Sequence, residues 1–384
     1  MIGFGLHEAD EGGGGRLLSC YRPPVPPLPA LDDVWPAVEH ATVAVGAFDR
    51  ALAGFRMAER PVQGTVGRLF ARLDAVHSSG AEGATTTFTD LLEYETSLNR
   101  APDPLDAGQV AACADAYEAL QGMAFAPRDA ILEIHRRLLE RAPDPHVSAT
   151  AGRWKRYANC TADYDSPNGM FFYTRPASLG AALEDWERFT LDTGGPELVR
   201  QALSHWMFEH IHPVEDGNGR VGRLLVPLVL KWKSATANAC CFIGEAVHSN
   251  KDLYIDGLKR GRLTGDLTHW TRLLLSFAAQ TAERNLSRLD RLAEILGRWQ
   301  AATASVRSHS LVHRLVPWVL TRPAFTVRDA LAGLGVGTFA SMNTSVGHLE
   351  ARGIVVPVAV TGRERMFAAS EVIALFDSAR NTVR

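Results

Sequence analysis

The chain has 384 residues, 46% of them hydrophobic and 22% charged, with a formal net charge of -3. It is long for one core and suits two or three units, and its near-balanced charge gives no whole-chain case for nucleic acid. Five cysteines (Cys20, Cys113, Cys160, Cys240, Cys241) have neither metal-ligand spacing nor a disulfide framework, which fits a reducing cytoplasm. The first residues lack the basic-then-apolar order of a signal peptide, and apolar runs break before the roughly 18 residues a membrane helix needs, so no membrane is expected.

Residues 1–33 have little periodicity; Gly12 to Gly15 and the prolines between Pro23 and Pro29 read as an extended arm that wraps the body or stays mobile. From Val34 to Leu73 the pattern is helical, with a break near Pro61, and residues 34–100 form an N-terminal helical region. Within it Ser78 or Ser79 suits a helix cap and Gly83 a helix end, leaving Glu82 as a solvated side chain. Beyond residue 103, Leu105, Val110, Ala114, Tyr117 and Leu120 form one apolar face. Ile131, Ile134, His135, Leu138 and Leu139 form another after Pro127, with His135 read as a core histidine.

Between Arg153 and Pro176 the character changes. Asn168-Gly169 is a tight-turn dipeptide flanked by aromatic and β-branched residues, a hairpin signal in an otherwise helical chain. A lone hairpin leaves an unpaired edge on which another segment can pair main chain to main chain. Leu198, Ala202, Leu203, Trp206, Met207 and Ile211 then mark a helix that Pro213 stops. Gly217-Asn218-Gly219 opens the next, which runs through Leu224, Leu225, Leu228 and Val229, so backbone N–H groups there suit a phosphate. Arg220 and Arg223, three apart at the positive end of that helix, call for an anion between them. Asp216 can share Mg²⁺ with phosphates, and His212 has a reference pKa suited to a general base.

Past this stretch Asn250 and Tyr254 lie four apart, on one helix face of an aromatic-lined region that suits a purine. Residues 273–300 read as a long amphipathic helix leading away from the core. From Leu311 to Phe376 a separate small unit is expected. It comprises a helix, a second helix capped by Thr326, a third over Gly337 to Gly353, and a ribbon turning at Thr361-Gly362. Helix-turn-helix followed by a ribbon resembles a winged helix. Its third helix is weakly basic, which favours a protein-contact or positioning role over DNA binding.

The run His212-Pro213-Val214-Glu215-Asp216-Gly217-Asn218-Gly219-Arg220-Val221-Gly222-Arg223 resembles the signature of the Fic family, His-Pro-Phe-x-(Asp/Glu)-Gly-Asn-Gly-Arg-x-x-Arg. Members typically transfer AMP from ATP to a protein hydroxyl. The resemblance implies His212 as base, Asp216 on Mg²⁺, Gly217, Asn218 and Gly219 around the phosphates, Arg223 on the terminal phosphate, and Arg220 as a further contact. It implies pocket roles for Asn250 and Tyr254. Ser78-Ser79-Gly80-Ala81-Glu82-Gly83 resembles the family's inhibitory motif, in which the glutamate pairs with the second arginine. The hairpin at 163–175 corresponds to the flap that docks the target. Val214 departs from the usual Phe, which predicts a packing deficit unless a neighbour fills it.

The expected fold is mainly α. It has an arm over 1–33, a helical region with the inhibitory motif over 34–100, a Fic-type core with a β-hairpin flap and connector helix over 101–300, and a winged-helix domain over 301–384. The expected function is a cytoplasmic protein adenylyltransferase using ATP and Mg²⁺, autoinhibited by Glu82, modifying a Tyr, Thr or Ser of a target and itself. A homodimer is compatible with this. The rival functions are removal of AMP at the same site and a DNA-binding regulator that senses nucleotide.

Overall fold

The structure, a computed structural model, describes residues 4–11, 17–57, 60–61, 63–96, 106–122, 126–164, 166, 169–361 and 364–377. Strands β1 (Leu6–Glu11) and β2 (Leu17–Arg22) precede α1 (Leu31–Gly54), a two-residue pair β3 (Arg56–Met57) and β4 (Arg60–Pro61), α2 (Gln63–Ala81) and α3 (Phe88–Thr96). Then come α4 (Ala107–Leu120), α5 (Pro127–Leu139), the short α6 (Pro145–Ser148), strands β5 (Cys160–Ala162) and β6 (Met170–Phe172), α7 (Pro176–Leu191), α8 (Glu197–Ile211) and α9 (Asn218–Trp232). The chain continues through α10 (Gly244–Ser249), α11 (Lys251–Thr264), α12 (Thr268–Thr303), α13 (Val312–Thr321) and β7 (Ala324–Thr326). It closes with α14 (Val327–Leu334), α15 (Phe339–Glu350), β8 (Val356–Thr361), β9 (Glu364–Ala368) and α16 (Ser370–Phe376). It is a mainly helical Fic-type fold with small β-sheets.

The centre is α8, buried from Val199 to Ile211 on every face rather than along one stripe. Helix α9 packs beside it, with α7 and α12 also against it. Burying Ser204, His205 and other polar groups would be costly without partners. Neighbouring tryptophans supply some of them: Trp186 Nε1 donates to the Ser204 carbonyl at 3.1 Å and Trp270 Nε1 to the Ala202 carbonyl at 2.8 Å. The Ser204 hydroxyl pairs with that of Thr190 at 2.7 Å.

Of the two readings of the arm, its described part takes the one that wraps the body: β1 and β2 form an antiparallel hairpin, and β2 runs parallel to β6, giving a four-stranded sheet ordered β1-β2-β6-β5. The flap is therefore not a lone hairpin. One edge is already paired, and β5 is the outer strand on the other side, with Cys160 and Phe172 opposite each other. Side chains anchor the arm, since Glu8 meets Arg175 at 2.9 Å, Arg22 meets Asp185 at 2.8 Å, and Tyr21 is buried against Phe171 and His210. The two helices expected on either side of Pro61 are present, α1 ending at Gly54 and α2 starting at Gln63. The 36-residue α12 does not lead away; it lies along α1 and is buried through most of its length.

The C-terminal elements also join the main core instead of standing apart. Phe376 of α16 stacks on Phe88 at 5.1 Å and meets Phe70 edge-on at 5.5 Å. Its own sheet is ordered β7-β9-β8, and α14 starts with the expected Thr326 cap, here a reciprocal pair with Asp329. Gly12 to Gly15, Leu105, Asn168 and Gly362, each part of an expectation above, lie outside the described residues.

Candidate active site

His212 caps the C-terminus of α8 in the left-handed region, φ 51 and ψ 61, a conformation that costs a non-glycine residue about 1 kcal/mol and needs surroundings to enforce it. Its ring is fixed from two sides. Nδ1 lies 3.1 Å from the Glu209 carbonyl and can only donate to it, which leaves Nε2 as the proton acceptor. The Tyr173 ring of the flap stacks on the imidazole, centroids 3.9 Å apart and planes 13° apart. Burial, then the nearby Lys155 ammonium, lowers the His212 pKa to about 3, so the ring is neutral at pH 7.

The loop from Pro213 to Gly217 is held by Asn218. Its Oδ1 accepts from the Val214 N–H at 3.0 Å and its Nδ2 donates to the Val214 carbonyl at 2.8 Å. The side chain expected to face phosphate is thus spent on the loop, leaving the N–H groups at the α9 terminus to face outward. Val214 itself is fully buried, so the smaller side chain is accommodated. Asn218→Ala strands the buried Val214 N–H, while the carbonyl keeps its bond from Asn159 Nδ2, and should cost about 1 to 2 kcal/mol. A chemical denaturation midpoint unchanged from wild type would contradict that bracing role.

At the N-terminus of α9, capped by Gly217 at φ 76, the expected anion is protein-borne. Glu82 Oε1 accepts from Arg223 Nη2 at 2.6 Å, while Arg223 Nε donates to the Ser78 hydroxyl at 2.8 Å and Nη2 to the Ser78 carbonyl at 2.9 Å. Gly83, at φ +102, ends the turn after α2 that brings Glu82 there. Gly219 leaves the space, since a Cβ on it would collide with the Glu82 carboxylate. Burial pushes the Glu82 carboxyl up, but Arg223, with Arg220 and Lys251, outweighs this and holds it below the usual carboxylate value. Arg220 donates to Gln109 Oε1 at 2.8 Å and lies 3.7 Å from the Asp216 carboxylate. Asp216 accepts from the Gly217 N–H at 2.7 Å, with its side chain 59% exposed. No three His, Cys, Asp or Glu side chains among the described residues group into a metal site. A divalent cation on Asp216 fits only with oxygens from outside the protein, as phosphates provide.

Glu82, His212, Gly219 and Arg223 line a cavity of about 370 Å³ with Thr161, Tyr173, Glu209, Val247 and Tyr254, whereas Asp216, Gly217, Asn218 and Arg220 lie outside its lining. The flap forms one wall and is pinned to α11, where Asp163 meets Arg262 at 2.7 Å and Lys259 at 2.8 Å. Tyr254 is buried in the wall, its hydroxyl 2.7 Å from His205 Nε2. Asn250 is not brought to the cavity. At the junction of α10 and α11 its amide donates to the Ala246 carbonyl at 2.9 Å, satisfying a helix-end acceptor. Lys155, Tyr173, His205 and Glu209 are the site groups that sequence reasoning left out; the buried polar run on α8 was the one local signal.

The buried groups make stability pH-dependent. Burial, ahead of other causes, lowers His205, His210 and His212 to about 3 from an unfolded value near 6.5, so the unfolded state binds more protons below pH 6.5 and stability falls toward acid. Glu209 opposes this. Burial raises it to about 7, so its contribution is present below about 4.5 and lost as pH rises through 7. Three groups against one leave the acid side weaker, and with Glu209 cancelling one of them, a unit of depression each still removes about 3 kcal/mol at about 1.4 kcal/mol per unit. Calorimetry should find a melting temperature that drops steeply from pH 6.5 to 4.5. A flat profile there would contradict neutral burial of these rings.

Residues 125–230 match the Fic/DOC family. Over 109 residues the chain is 35% identical to "Protein adenylyltransferase Fic" of Nematostella vectensis, covering 27% of this chain and 22% of that protein. Over 102 residues it is 31% identical to "Protein adenylyltransferase fic-1" of Caenorhabditis elegans, covering 27% and 18%. The chain thus spans about a fifth of the length of the curated relatives it matches. Among solved structures, a Fic family protein from Desulfovibrio desulfuricans superimposes with a TM-score of 0.54 at 16% identity, covering 90% of this chain and 98% of that one. A Fic domain containing signaling protein from Bacteroides thetaiotaomicron gives 0.50 at 18% identity, covering 66% and 97%. At these identities the likeness establishes the fold.

Proposed function

We propose that this protein is a protein adenylyltransferase held in a resting state by Glu82. The observation that carries the reading is the Glu82 carboxylate in the Arg223 fork at the N-terminus of α9, on the wall of the cavity that His212 also lines. A seat that holds a carboxylate at a helix N-terminus suits a phosphate equally well. In the reaction, His212 Nε2 takes the proton of a target Tyr, Thr or Ser hydroxyl as its oxygen bonds to the α-phosphorus of ATP. The bond from that phosphorus to the α–β bridging oxygen breaks and pyrophosphate leaves. Arg223 holds the terminal phosphate, Arg220 adds a further contact, and the N–H groups of Gly217 to Gly219 face the phosphate chain. Asp216 would hold Mg²⁺, which supplies charge neutralisation at the phosphates. Tyr254 packs beside the nucleoside.

The target segment adds to β5, the edge left open once β2 has taken the other side, and the protein also modifies itself. A cytoplasmic setting suits the five unpaired thiols. The elements from α13 to β9 form a winged helix that positions the site or a protein partner. The test is incubation of Glu82→Gly with α-phosphate-labelled ATP, Mg²⁺ and a host lysate, followed by mass spectrometry. Label on Tyr, Thr or Ser supports transfer. Salt-dependent duplex DNA binding with no label would replace it with a nucleotide-sensing regulator, and release of AMP from a modified target with the reverse reaction.

A further inference from the structure

Lys155 is 3% exposed, and no carboxylate among the described residues pairs with its ammonium. It lies between α6 and β5, outside every motif considered above. Nζ donates to the Ile211 carbonyl at 3.0 Å and to Asn159 Oδ1 at 2.8 Å, while the Lys155 backbone N–H donates to the Pro213 carbonyl at 3.0 Å. Asn159 Nδ2 donates to the Val214 carbonyl at 2.8 Å and reaches the His212 carbonyl at 3.4 Å. The four successive carbonyls from Ile211 to Val214 are therefore all gripped by two residues of one short segment. The Asn159 carbonyl in turn accepts from the Tyr173 N–H at 3.0 Å, which ties in the ring stacked on His212.

This grip accounts for the left-handed backbone at His212, which no glycine is there to permit. A neutral amide would hold a carbonyl as well, and taking an ammonium out of water costs several kcal/mol. What the ammonium adds is charge next to the imidazole. We propose that Lys155, with Asn159, is a positioning residue for His212: the pair sets the loop backbone, and the ammonium biases the ring toward its neutral, proton-accepting form. The inference rests on His212 being the base of the transfer reaction.

The charges around the pair are few. Beside His212, the inhibitory turn contributes Glu82, which favours a protonated ring, and α8 contributes the neutral His210. Beside Lys155, β2 contributes the Cys20 thiol. Burial lowers Lys155 to about 7, so it is cationic throughout the acid range in which His212 titrates. Removing that cation raises the His212 pKa and moves the acid limb of activity to higher pH.

The test compares Lys155→Met, Lys155→Gln and Asn159→Ala in the Glu82→Gly background, using automodification with labelled ATP and NMR titration of the His212 ring. In Lys155→Met, kcat should fall about tenfold or more with KM for ATP within about twofold. The acid limb and the ring's midpoint should both rise by about one pH unit. Lys155→Gln restores a donor without charge, so it should recover most of kcat and keep the raised midpoint, while Asn159→Ala loses kcat without moving it. An unmoved midpoint in both Lys155 variants, or a Lys155→Met as fast as its parent, overturns the proposal. If Lys155→Met does not fold, Lys155→Gln carries the midpoint and Asn159→Ala the rate. If Glu82→Gly labels nothing, the transferase reading falls, whereas the ring titration still decides what Lys155 does.

Discussion

His212→Ala removes AMP transfer while leaving the fold in place. A general base contributes about 10²- to 10⁴-fold, and Glu209, which also lines the cavity, is buried and raised to about 7, so it is partly protonated at neutral pH and a poor substitute. The loss should fall on kcat, with nucleotide affinity nearly unchanged, since the phosphate seat is built by α9 and not by His212. Alanine at a left-handed position adds about 1 kcal/mol of strain, whereas asparagine tolerates it. His212→Asn therefore separates loss of the base from strain in the loop. Both variants should be inactive, with His212→Asn melting closer to wild type. Labelling by either at the wild-type rate, measured in the Glu82→Gly background, would rule out the mechanism.

Glu82→Gly should raise automodification by about ten- to a hundredfold. The Arg223 guanidinium is 2% exposed and the Glu82 side chain 46% exposed, so the pair is worth less than a fully buried one. At about 1.4 kcal/mol per factor of ten, that rate gain corresponds to roughly 1.5 to 3 kcal/mol of competition lifted from the terminal phosphate. Without nucleotide the variant should melt slightly lower, because Arg223 loses the carboxylate and keeps its Ser78 contacts. Saturating Mg·ATP should return the missing anion and the lost stability. Arg223→Ala should be inactive alone and in combination with Glu82→Gly. Were the double variant as fast as Glu82→Gly, Arg223 could not be both partner of the lock and ligand of the productive phosphate.

What was legible in the sequence was what neighbours in the chain determine. Pro213, the Gly217-Asn218-Gly219 opening and the Arg220 and Arg223 pair gave the helix break, the anion seat and its partners. The Thr326 cap was equally local. The pairing of β2 with β6 joins Cys20 to Phe172, and a three-residue strand at the far end carries no periodicity to announce it. Lys155 reaches the Ile211 carbonyl across a gap of 56 residues, again beyond any local pattern. A lysine is ordinarily solvated, and only tertiary burial makes this one part of the site. Asn250 misled because spacing alone cannot tell a residue that faces a cavity from one that closes a helix end. The connector reading of α12 failed for a related reason, since an apolar stripe shows that something covers a helix without showing that α1 does.

The outer strand of the flap sheet has a practical corollary in thiol chemistry. Cys160 is exposed on β5, whereas Cys20, Cys113, Cys240 and Cys241 are buried, and burial, chief among the causes, raises Cys20 to about 11 and Cys113 and Cys241 to about 12. Their thiolates are scarce at neutral pH, so a maleimide should react at one position of the unaltered chain. A fluorophore or spin label placed there sits on the strand where a target segment would pair. Its mobility would report engagement directly, in a protein that needs no cysteine removed beforehand.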